Sequence, residues 1–417
     1  MKRPNDSNNG GFDIVIGNPP YVESRNSIFS DELKDNLQRE MRVRYSEDDR
    51  KSFPRGADLL IFFFELSFRL LNKNGINTFI TENAWLSTDY GKEFQKYLLK
   101  YIDIRGIVDS DYKYFETADI NTVISFLKKN NDKRVLPVYF FHAHDNFEKS
   151  PCNTSKPKLN DNSVELKTFN NNDLVLNKYK WGFIFSTDDR LIKLVEEMDN
   201  LQDLNIKKKI SIGQGLNLTK DKILRTKTKN CIPFFTSEIG AIVSWSETET
   251  YVDKKNISSS RKVPLLILPR GLGTHFCCMN EISGYSTSFV EIYEEEKLTE
   301  MEKLNIWLFC NSSLLWLLRE YTGRCNLGGG MLKAEATDLK TIPLCFNFGN
   351  ETEIRDIYKL AKKYFTPGKI EEAINSELHK RIDKIVYSYF GLEQEKNFVT
   401  EMLVSRFNWR NKKSKTN

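Results

Sequence analysis

Residues 12–21 read FDIVIGNPPY, and no other stretch restricts the backbone so tightly. Ile14, Val15 and Ile16 form a short β-branched run of the kind that fills a parallel strand buried on both faces. Pro19 bars Asn18 from helical angles, and Pro20 does the same to Pro19. The chain therefore leaves a strand in one stiff, extended shape that holds an amide and an aromatic ring at fixed positions. A bare Asn-Pro-Pro also serves simply to stop a strand, so the surrounding pattern has to decide.

That pattern alternates. Residues 23–57 are charged and read as a loop with a helix. DLLIFFFELSFRLLNKNG (58–75) reads as an apolar helix ended by Gly75, with Lys73 in its last turn. INTFIT (76–81) reads as a strand, 89–101 as an amphipathic helix and 104–109 as a strand. NTVISFLKK (121–129) and VLPVYFF (135–141) read as adjacent strands joined by the turn-rich NNDK. This order predicts an α/β domain with a mostly parallel sheet and an antiparallel end.

Beyond it, 143–178 loses all periodicity and is expected to be a linker. The region 179–346 mixes a helix at 187–200, short β-like runs such as PLLILPRG, glycine-rich turns and one long helix-like segment, 302–321. The stretch 351–406 is helical by periodicity. The expected layout is a disordered lead (1–11), a sheet domain (12–142), the linker, an α+β domain (179–346), a helical region (347–406) and a basic tail (407–417).

A chain of 417 residues with 40% apolar and 29% charged positions has the composition of a soluble globular protein of two or three domains. Its formal charge of +5 permits nucleic-acid binding without demanding it. Much of the excess sits in Arg406, Arg410, Lys412, Lys413 and Lys415. No signal peptide and no bilayer-length apolar run is present. The seven cysteines show no C-x-x-C spacing, and Cys277 and Cys278 are adjacent. A reducing cytoplasm and no structural metal are expected.

An amide held at a strand end suits one chemical problem. The nitrogen of an exocyclic amine on a base delocalises its lone pair into the ring and is a poor nucleophile. Acceptors on its N–H bonds draw it towards tetrahedral geometry, and the Asn18 side-chain oxygen and the Pro19 carbonyl can supply them. Each such bond is worth about 1 kcal/mol net in the open and more in a dry, preorganised site. Tyr21 can stack on an extruded base, contributing roughly 1–3 kcal/mol against a flipping cost of a few. Open α/β sheets also place ligands at the carboxyl ends of their strands.

FDIVIGNPPY resembles motif IV of S-adenosylmethionine-dependent amino-methyltransferases, closest to the N6-adenine DNA methyltransferases of restriction–modification systems. DLLIFFFE (58–65) resembles the family's fifth motif, which implies that Phe63 lines the adenine pocket of S-adenosyl-L-methionine, with Pro20 also at the cofactor. NGINTFITEN (74–83) resembles the next motif, and IVD (107–109) with Phe115 fits the strand after it. NTVISFLKK resembles the motif whose aromatic, here Phe126, takes the second face of the flipped adenine. ISIGQGLNL, LILPRGLG, the long helix, the glycine-rich turn and LKTIPL (204–345) are similar to the family's target-recognition domain. The resemblance covers roughly 12–142 and 204–406.

The family pattern also requires a glycine-rich loop and an acidic residue upstream of motif IV. Only eleven residues precede Phe12, and the Gly-x-Gly stretches all lie late in the chain. The resemblance therefore implies the C-terminal part of a Rossmann-like methyltransferase sheet with an unpaired apolar edge, whose cofactor-binding half comes from a separate polypeptide or has been lost. Double-stranded DNA is the implied substrate, with Arg270 and Arg324 beside flexible glycines, and Lys208 in a lysine run, as DNA contacts. His142, His144 and His275 have no ligand spacing, and Asp161 with Glu165 and Lys167 only faintly matches a nuclease pattern. Two other readings stand beside this one: a non-catalytic DNA-binding specificity module, and a methyltransferase acting on an RNA base or a protein glutamine.

Overall fold

The computed structural model describes residues 11–110, 115, 121–129, 137–143, 164–170, 174, 180–327, 331–365 and 370–413. Contacts divide the chain into two units, Met1–Ser186 and Thr187–Asn417.

The first unit is built on a six-stranded sheet of order β1-β2-β4-β3-β5-β6, with β1 Phe12–Gly17, β2 Leu71–Glu82, β3 Ile102–Ser110, β4 Thr122–Lys129, β5 Val138–Ala143 and β6 Val164–Phe169. β1 runs parallel to β2, and β4 lies antiparallel between β2 and β3. The strand 121–129, expected beside 138–143, instead lies antiparallel in the middle of the sheet with neighbours on both sides, while 138–143 runs parallel to β3, so the sheet is more mixed than the mostly parallel one expected. β6 occupies part of the stretch expected to be linker, antiparallel to β5. One face of it carries Glu165, Lys167 and Phe169 and the other Leu166 and Thr168, too polar a pattern to read as a strand.

Four helices belong to the front of this unit: α1 Asp31–Arg44, α2 Glu47–Arg50, α3 Leu59–Leu70 and α4 Asp89–Tyr101. The expected helix 58–75 ends five residues early, because Leu71 already pairs with Phe12 and Gly75 lies within β2. A Cβ on Gly75 would come within 2.8 Å of the Phe12 carbonyl, so glycine serves strand approach here rather than helix termination. α3 and α4 cover one sheet face, where Asn77, Phe79, Thr81, Val123, Ser125 and Leu127 are buried. Phe53, Phe64, Trp85, Phe94 and Tyr97 interlock there edge to face and offset-stacked.

The opposite face carries Phe12, Ile14, Ile16, Ile76, Phe126 and Tyr139, all exposed, with Ile16 at 76%. β1 is therefore an open edge strand, not the doubly buried one expected from its β-branched run. Its composition asks for cover that no described residue provides.

Among the described residues, the second unit mixes three small sheets with helices. The segment 302–321 is two helices, Glu300–Cys310 and Ser313–Thr322, broken at Asn311-Ser312. Asn311 spends its amide on the backbone of Cys277 and Trp307, and Ser312 caps the second helix. Helices Glu351–Tyr364, Ile370–Asn375, Glu377–Phe390 and Lys396–Lys413 follow, so the expected basic tail is helical as far as Lys413. No helix among the described residues is long and apolar enough to cross a membrane, and no described group of His, Cys, Asp or Glu could hold a metal ion. His144 and Asp161 lie outside the described residues.

Candidate active site

Asn18 follows directly on the last residue of β1, at the carboxyl end of a parallel pair. Pro19 is buried while Asn18 and Pro20 are exposed, so the turn is anchored by one ring and presents its amide outward. The Val22 N–H folds back onto the Pro20 carbonyl at 3.0 Å.

Tyr21 is half-buried, its ring edge against Phe115 with centroids 6.1 Å apart. Its hydroxyl is buried and finds no partner among the described residues. Burial, with Glu82 nearby, pushes its ionisation upward, so the phenol stays neutral.

The segment after Tyr21 is tied to the start of α3. The Leu59 N–H donates to the Val22 carbonyl at 3.1 Å. Asp58, at the helix N-cap, accepts the Ser24 N–H at 2.8 Å and the Tyr90 hydroxyl at 2.5 Å. Burial and the neighbouring carboxylate hold the Tyr90 phenol well above its ordinary range. Asp58 is a positioning residue that sequence reasoning did not single out. An acidic residue just ahead of an apolar helical run was the available signal.

Phe63 stands half-buried between the fully packed Phe62 and Phe64. Phe126 is 38% exposed on the open sheet face. It pairs with Thr78, which pairs with Ile16, so it lies two positions short of the level of Asn18, about 7 Å along the strand direction. The strand ends at Gly17, Glu82 and Thr122 converge on one sheet margin, where the Asn83 N–H donates to the Asn121 carbonyl at 3.0 Å.

In the second unit, Lys208 is exposed at the end of helix Leu204–Lys208. Arg270 and Arg324 are not free cations. Both meet Glu335, Arg270 through two bonds of 2.7 and 2.8 Å and Arg324 at 3.5 Å, and Lys333 reaches the same carboxylate at 3.0 Å. Neither Lys333 nor Glu335 carried a sequence signal.

The segment that carries this turn is similar to methylases of restriction–modification systems. Residues 2–115 match the Eco57I restriction-modification methylase family. The type II methyltransferase M.BstVI of Geobacillus stearothermophilus is 29% identical over 168 residues, 38% of this chain and 27% of that protein. The type II restriction enzyme and methyltransferase RM.Eco57I of Escherichia coli is 28% identical over 148 residues, 34% of this chain and 12% of that protein. The chain thus spans about a quarter or less of the curated relatives it matches. The fold is shared with the type IIL restriction-modification enzyme MmeI, solved in complex with DNA, at a TM-score of 0.52 and 13% identity over 96% of this chain and 57% of that one.

Proposed function

We propose that this chain carries the catalytic strand end and the DNA-reading part of an S-adenosylmethionine-dependent adenine-N6 DNA methyltransferase of a restriction–modification system. The observation that carries the reading is the Asn18–Tyr21 turn at the carboxyl end of β1, parallel to β2, inside the segment that matches the methylase family.

In this reading the Asn18 side-chain oxygen and the Pro19 carbonyl accept the two N–H bonds of the target amine. The buried Pro19 ring and the Asp58 tie to Ser24 hold the backbone of the turn before the base arrives, which is where the catalytic gain of a preorganised site lies. Tyr21 and Phe126 hold the two faces of the extruded adenine. Arg270, Arg324 and Lys208 contact the duplex.

S-adenosyl-L-methionine, when bound, supplies a methyl group on a positively charged sulfur. The half-buried Phe63 ring and the exposed Pro20 are the residues that would hold its adenine. No Gly-x-Gly follows any strand of the six-stranded sheet, so the methionine and ribose parts are assigned to a cofactor-binding half that these strands do not contain. The uncovered apolar sheet face supports such a half.

The test is tritiated-methyl transfer into mixed-sequence duplex DNA, by this chain alone and with the polypeptide encoded immediately upstream. Methylated adenine formed only in the mixture supports the reading in full. Activity without the partner supports the chemistry and removes the split. Silence in both, with duplex binding retained, leaves a DNA-binding specificity module instead.

A further inference from the structure

Arg270, Lys333 and Arg324 come from three separate places in the sequence, yet strand pairing brings them to one end of one small sheet. Strands Gly271–Leu272, Met331–Lys333 and Arg324–Leu327 are adjacent, and Lys333 pairs with both Gly271 and Arg324. Their side chains fan around Glu335, which sits at the N-cap of the next short helix with its own N–H on Asp338 at 2.8 Å. Asp338 is itself buried.

Three cations thus face one carboxylate, and among the described residues no second carboxylate forms an ion pair with them. Burial alone would raise the Glu335 carboxyl, but the bonds from Arg270 and Lys333 outweigh it and hold it at about 2. The carboxylate is therefore a permanent counter-charge. Arg270 spends two of its five N–H donors on its bidentate grip, whereas Lys333 and Arg324 approach through single contacts, so all three keep donors to spare. All three are about a quarter exposed.

We infer that the Arg270–Arg324–Lys333 fan is a cradle for a DNA phosphodiester, and that Glu335 meters its charge by acting as an internal counter-anion. The inference rests on the DNA-acting reading above. Lys333 and Arg324 engage the phosphate oxygens, Arg270 anchors Glu335, and Glu335 holds the cations in register while capping the net charge. A cradle of this kind positions the duplex and carries no base information.

The experiment is duplex affinity by fluorescence anisotropy across a salt series, with the full chain. Lys333→Gln should weaken binding equally on all sequences and flatten the log–log salt slope by about 0.9, one counterion's worth. Glu335→Gln should act oppositely, tightening non-specific binding several-fold and steepening the slope by a similar amount. Inorganic phosphate titrated into the wild type should compete only weakly if a polymeric phosphodiester is the ligand; binding that matches duplex affinity would make the site one for free phosphate and overturn the assignment. Unchanged slopes in both variants, with wild-type duplex binding intact, overturn the cradle alone. Weaker binding in Glu335→Gln overturns the counter-charge role. Absence of any duplex binding by the wild type overturns this inference together with the DNA-acting reading.

Discussion

The hydroxyl of Tyr90 donates to the carboxylate of Asp58 at 2.5 Å, so α4 grips the start of α3. Through the Ser24 N–H on the same carboxylate, that grip reaches the turn that presents Asn18 and Tyr21. Tyr90→Phe removes one bond to a charged group and should cost about 1.5–3 kcal/mol of stability. In reconstituted enzyme it should lower kcat with little change in KM for DNA, read by steady-state methyl transfer. A change in KM alone would show that the tie does not reach the catalytic turn.

Asn18→Ala removes an acceptor made for the reacting nitrogen. Turnover should fall roughly a hundredfold or more, the scale seen when one preorganised polar group is removed, while duplex affinity holds. Single-turnover methyl transfer beside anisotropy separates the two, and equal losses would count against the acceptor role.

Tyr21→Ala should abolish the rise in 2-aminopurine fluorescence that reports an extruded target base. The side chain is half-buried against Phe115, so a modest loss of thermal stability is expected too. An unchanged fluorescence signal would remove Tyr21 from the base-holding surface.

The ion pairs of Glu335 have a defined pH signature. Its carboxyl is held at about 2 when folded. A free glutamate titrates near 4.3, so the stabilisation is complete above that value and is lost as pH falls through the folded one. Wild type should melt above Glu335→Gln at neutral pH, and the gap in Tm should shrink between about pH 5 and pH 2. A gap independent of pH would mean that shape, not charge, explains the variant.

Gly91 opens α4 where it crosses Trp85, and a Cβ there would stand 1.9 Å from the Trp85 carbonyl. Gly91→Ala cannot be relieved by turning a side chain, because the obstacle is backbone. It should destabilise the first unit by more than an ordinary surface change, on the order of 2–4 kcal/mol, measured by urea unfolding.

Local features were legible in the sequence to the extent that neighbouring residues set them. The helix expected at 89–101 is found over Asp89–Tyr101, because Thr88 caps it and its apolar positions repeat at helical spacing. The strand before Asn18 followed from three β-branched residues and two prolines. Burial of that strand did not, since cover depends on which elements pack against it. Strand order was equally hidden: β4 resembles any antiparallel neighbour until its two partners are known. Asn311 ends a helix through a bond to Cys277, a residue 34 positions away, and Glu335 meets Arg270 across 65 positions. No window of sequence contains such pairs.

The central place of β4 has a consequence for how the chain is made. β3 leaves the ribosome before β4, yet it reaches β2 only through β4. Until residue 129 has emerged, the nascent β3 has no neighbour on that side, and β1–β2 presents a half-sheet with an apolar face. Such non-local pairing closes late and is slow. The same interval exposes strand edges to other chains. The interval in which residues 110–129 emerge is therefore when the nascent sheet is most open to pairing with other chains.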